Sequence, residues 1–103
     1  MDESSSIPRL GQIAKVIRGR DNGKYTVVIH VVDERYVLIA DGDKRKFDNP
    51  KKKNILHLEL QDEISAEVVN SLNETGRVTN GKLRFSISRH IENIQTDEHL
   101  KGE

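Results

Sequence analysis

The chain has 103 residues, no cysteine, 34% hydrophobic and 4% aromatic residues, and 17 Lys and Arg against 17 Asp and Glu. Disulfides and thiolate metal sites are excluded, as is a transmembrane helix, because no apolar run reaches about 18 residues. One domain with short tails and a modest core is expected, since a chain of this size buries only about 60–65% of its unfolded surface.

Residues 1–8 read as a disordered tail. The opening Met-Asp-Glu-Ser-Ser-Ser has neither a basic nor an apolar stretch, so no secretory signal is expected. Residues 11–17 form a first strand, entered at Gly11. Residues 24–32 form a second, rich in Val and Ile. Val27, Ile29 and Val31 line one face, and Val28, His30 and Val32 the other. Both faces are largely apolar, which places this strand centrally. After the polar turn Asp33-Glu34-Arg35, Tyr36–Asp41 is a third strand, followed by the turn Asp41-Gly42-Asp43. A short fourth strand is expected over Lys44–Phe47. Asp48-Asn49-Pro50 is the next turn, and Asn54–Leu60 is the fifth strand. Five short antiparallel strands in so little chain predict a small barrel, which hides its edges by closure.

Residues 61–95 read as a helical extension. Ser65 caps a helix over 65–75, Glu67 suits its first turn, Gly76 ends it, and Ile64, Val68 and Leu72 make its apolar stripe. Residues 80–94 admit two readings. Thr79 caps a helix with Leu83, Ile87, Ile91 and Ile94 on one face, or Asn80-Gly81 turns a hairpin in which Leu83, Phe85 and Ile87 alternate. The helix is preferred because the hairpin arm Arg77–Thr79 is very short. Residues 96–103 are expected to fray.

The neutral total conceals an asymmetry. Residues 9–60 hold 12 Lys and Arg against 7 Asp and Glu, and residues 61–103 hold 5 against 8. A basic module beside an acidic extension suits a polyanion such as RNA. Two elements concentrate the positive charge. The first is the loop 18–24, with Arg18, Arg20 and Lys24 around Gly19 and Gly23, where the glycines are expected to supply positive φ. Read blandly, the loop is an ordinary turn between two strands. It is not a phosphate-cradling P-loop, because only three residues separate its glycines and Tyr25, not Ser or Thr, follows Lys24. The second is the block Lys44, Arg45, Lys46, Lys51, Lys52 and Lys53, opposed only by Asp48. Its bland reading is a charged surface that keeps strand edges apart. Lysines are point charges suited to phosphate rather than to base edges. His57 lies beside the block and joins the candidate contacts.

The four histidines show no metal-ligand spacing, so neither metal nor cofactor is expected. Ser86 and Ser88 lie near His90 in sequence, but no nucleophile–base grouping stands out, and the expectation is a protein that is not an enzyme.

The run Gly11-Gln-Ile-Ala-Lys-Val-Ile-Arg-Gly-Arg-Asp-Asn-Gly-Lys-Tyr-Thr-Val-Val-Ile-His through Gly42 resembles a KOW motif, with Gly23 as its loop glycine. The continuation Lys51-Lys-Lys-Asn-Ile-Leu-His-Leu-Glu59 resembles the end of KOW domains of the ribosomal protein L-fourteen-e type. The likeness covers residues 10–60 and is nearer to the short bacterial ribosomal-protein-like forms, since the neutral charge and residues 61–103 depart from the ribosomal pattern. It implies a mainly β fold, a five-stranded SH3-like barrel over 9–60, in a cytoplasmic, ribosome-associated protein that binds ribosomal RNA. Arg18, Arg20, Lys24 and the basic block are then the RNA contacts. The rival reading is a KOW protein-interaction module of a translation or transcription complex, with a protein partner at 61–95.

Overall fold

The computed structural model describes the backbone of residues 7–102 and the side chains of residues 7–95. The expected tail 1–8 therefore lies almost wholly outside the described residues. Five strands, β1 (Gln12–Val16), β2 (Tyr25–Val31), β3 (Tyr36–Ala40), β4 (Lys51–Asn54) and β5 (Leu58–Ile64), precede two helices, α1 (Ala66–Thr75) and α2 (Asn80–Gly102). The strands form one antiparallel sheet in the order β4-β3-β2-β1-β5, with β2 central as its two apolar faces require.

Both faces of the sheet are buried. On one, Ile13, Val27, Ile29 and Ala40 pack with Val68, Val78 and Leu83 from the helical half. On the other, Ala14, Val16, Val28, Val37, Ile39 and Leu58 pack together. The alternation of Ile13 with Ala14, and of Val27 with Val28, sends neighbours into different cores. A bulge then shifts the register: Val28 pairs with Ile39, but His30 pairs with Leu38. Ile29 is the extra residue, so His30 leaves the face it was expected to share with Val28 and lies exposed.

A single 3-10 turn, Ile55–His57, joins the two outermost strands. Such a turn advances only about 6 Å, whereas the edges of a flat five-stranded sheet lie about 19 Å apart. The sheet is therefore rolled until its edges approach at this turn. No ladder joins β4 to β5, so the expected closed barrel is replaced by a rolled, open sheet.

Two strands differ from expectation for the same reason, side-chain capture of backbone amides. Asp41 Oδ1 accepts from the amides of Asp43 and Arg45, and Asn80 Oδ1 accepts from Phe47. Residues 44–47 are thereby held in a turn, and the fourth strand starts only after Pro50. Asn54 Oδ1 accepts from the Leu56 amide and bends 55–57 out of extended form, so the fifth strand begins at Leu58 and runs on to Ile64. Ile64 thus ends a strand instead of opening the helix stripe.

The helices follow their signals. Ser65 Oγ accepts from Val68 at the start of α1, and Gly76 closes it with φ 77°. Thr79 Oγ1 accepts from Lys82 at the start of α2, which settles residues 80–94 as helix. Leu83 is fully buried against the sheet, and Ile87 packs beside it. α2 continues to Gly102, through most of the segment expected to fray. Among the described residues, no helix is long and apolar enough to cross a membrane.

Candidate nucleic-acid interface

In this meander the β1–β2 and β3–β4 connections emerge at one end of the sheet, and the β2–β3 turn at the other. The loop 18–24 and the turn 41–50 are therefore neighbours. Lys24 and Tyr25 line one groove with Asp41, Asp43 and Arg84.

The loop is internally bonded. The Gly23 amide donates to Val16 O at 2.7 Å, Asn22 to Gly19 O at 3.2 Å, and Lys24 to Asp21 O at 2.9 Å. Gly19 and Gly23 take φ values of 97° and 94°, in the left-handed region that a residue with a β-carbon would resist. Arg18, Arg20 and Lys24 project into solvent. The Gly23 amide is not available to a phosphate, because it already donates to Val16 O.

The basic block divides. Lys44 and Lys46 are exposed on the 41–50 turn, and Arg45 is half-buried. The helical half fastens this turn. Arg84 Nη1 donates to Gly42 O at 2.6 Å, Asn80 takes the Phe47 amide, and Arg77 pairs with Asp48 while lying 5.0 Å from the Phe47 ring. On β4, Lys51, Lys52 and Lys53 pair with Ile39, Leu38 and Val37. Alternation turns Lys52 to the outer face, 4.7 Å from the Tyr36 ring centroid. Half-buried Lys51 and buried Lys53 share the other face.

Lys53 is a different kind of cation from its neighbours. It is 8% exposed, and its Nζ donates to Arg18 O at 3.1 Å. Burial pushes its ammonium below the ordinary lysine value, Lys51 adds to this, and Asp21 acts in the opposite sense. Its role in the fold is to hold the 18–24 loop against β4. His57 is half-buried in the 3-10 turn, where its carbonyl accepts from the Ile17 amide at 2.9 Å. It too adjoins the loop.

Sequence reasoning missed the clamp from α2. Asn80 was read only as a hairpin candidate, yet it anchors Phe47. Gly42 offered the available signal: with φ 82° and a Cβ position overlapping Asn80 O, it is a glycine required by close approach of another element. Elsewhere, His90 is buried with Nδ1 2.6 Å from Glu63 and Nε2 3.4 Å from Gln61, and Ser86 Oγ lies 2.7 Å from Ser65 Oγ. Among the described residues, no cluster of three or more His, Cys, Asp or Glu is arranged to hold a metal.

The chain is 52% identical over 71 residues to a protein of Bacillus subtilis (strain 168) named "Putative ribosome-binding protein YbzG". That alignment spans 69% of this chain and 96% of its relative. The chain belongs to the YbzG family. No protein-family model matches it. Because the alignment takes in nearly all of YbzG, this YbzG-family chain is the longer of the two.

Proposed function

We propose that this YbzG-family protein is a cytoplasmic, non-enzymatic RNA-binding protein of KOW type that associates with the ribosome. The observation that carries the reading is the convergence of two basic connections, 18–24 and 41–50, at one end of the sheet in a relative of a protein named for ribosome binding. Exposed Arg18, Arg20, Lys24, Lys44, Lys46 and Lys52 are the phosphate contacts. Lys53 orders the loop that presents three of them. The two tyrosines are both half-buried and lie against lysines, so aromatic stacking is scarce, and recognition follows RNA shape and phosphate placement.

The test is a titration of ribosomal RNA across salt concentrations. With about six phosphates neutralised, log K falls against log salt with a slope of roughly −4 to −5. Joint replacement of Lys44, Lys46 and Lys52 by Ala lowers that slope and releases the protein from sedimenting ribosomes. A flat salt response, or unchanged co-sedimentation of the triple variant, overturns the reading and favours protein contacts.

A further inference from the structure

Leu56 is the most exposed large apolar residue among those described, at 77%. Its position is not that of a loose loop tip. The turn is held on three sides: Asn54 Oδ1 accepts the Leu56 amide at 2.8 Å, the Ile55 amide donates to Arg35 O at 2.8 Å, and His57 O accepts from Ile17 at 2.9 Å. Leu56 also lines a cleft of about 410 Å³ with Glu34, Arg35, Asn54 and Ile55. A fixed backbone thus presents an apolar side chain to solvent, at no packing gain to the fold itself.

The surroundings select the partner. The Ile17 side leads directly into Arg18 and Arg20, and the Arg35 side adjoins Lys52 over Tyr36. Against these four cations stand Glu34, Asp33 and, beside Arg20 in the loop, Asp21. The Asp33 carboxylate is already engaged by the amides of Arg35 and Tyr36, at 2.8 and 2.9 Å. An apolar point between two cationic flanks complements a phosphate chain that turns one base outward. In a paired helix the bases are stacked and unavailable to it.

We infer that Leu56 packs against an unstacked base of the bound RNA, with Arg18 and Arg20 on one side and Arg35 and Lys52 on the other taking the neighbouring phosphates. The inference rests on the RNA-binding reading above and adds its target: RNA with a bulged or looped-out nucleotide in preference to a continuous duplex.

The experiment uses the full chain with two labelled RNA hairpins, identical except that one carries a single-nucleotide bulge. The parent favours the bulged hairpin by about tenfold, the worth of partly burying one leucine. Leu56→Ala reduces that preference to about twofold while leaving duplex affinity and melting temperature unchanged, and Leu56→Met retains the preference. Equal affinity of the parent for both hairpins, or an unaltered preference in Leu56→Ala, overturns the inference while the RNA-binding reading stands. If Leu56→Ala detaches the protein from ribosomes with both hairpin affinities intact, Leu56 meets a ribosomal protein and the inference falls. Absence of salt-dependent binding to either hairpin overturns the RNA reading itself.

Discussion

Lys53 and Lys46 look alike in a sequence and do different things in the fold. Lys46 is exposed on a turn, whereas Lys53 is buried and bonded to Arg18 O. Lys46→Ala is expected to leave the melting temperature unchanged and lower the salt slope by about 0.7–0.9. Lys53→Ala strands the Arg18 carbonyl and costs about 1–3 kcal/mol, read as a lower melting temperature. The sign of the pH dependence follows from the depressed value of Lys53. The unfolded chain holds this proton more tightly, so the parent gains stability from this group as pH rises through its folded value towards the ordinary lysine range. Lys53→Ala abolishes that alkaline gain. Gly23 isolates backbone strain, because a Cβ there meets nothing within 4 Å. Gly23→Val is expected to cost about 1–2 kcal/mol through φ alone, and a melting curve matching the parent would contradict this. The glycine positions were legible in sequence because loop chemistry is local. The burial of Lys53 was not, because it depends on Val37 across the ladder and on Arg18 thirty-five residues away.

At the scale of elements, legibility followed the same division. β1, β2 and β3 announce themselves by runs of Val and Ile, and α1 by Ser65 and Gly76. The positions of β4 and β5 were displaced because Asp41, Asn54 and Asn80 capture amides that a strand would have used. Two of these captures are local Asx turns, but Asn80 reaches Phe47 from another element. Asn80→Ala is therefore expected to cost about 1 kcal/mol and to raise hydrogen exchange at the Phe47 amide. It should also weaken RNA binding through Lys44 and Lys46 while α2 stays helical. Unchanged exchange at Phe47 would show that Arg84 and Arg77 hold the turn unaided. The rolled but open sheet was beyond sequence pattern altogether, since alternation dictates which residues face inward and not how far the edges travel towards each other.

Across the whole molecule, the neutral charge is an average over a basic sheet end and an acidic remainder, and the two are mechanically joined. Asn80, Arg84 and Arg77 of the helical half hold the turn that carries Lys44 and Lys46, so the extension does more than cover one face of the sheet. The residue pattern of 9–60 predicted five strands and the basic loops, and the join was out of its reach because Arg77, Asn80 and Arg84 lie beyond that stretch. The bond from Lys53 to Arg18 has a further consequence, at the level of time rather than of energy. A shielded amine is acylated only when the structure above it lifts away. The labelling rate of Lys53, set against that of exposed Lys46 in the same molecule, is therefore a built-in clock for opening of the 18–24 loop, and a ligand seated on that loop stops it.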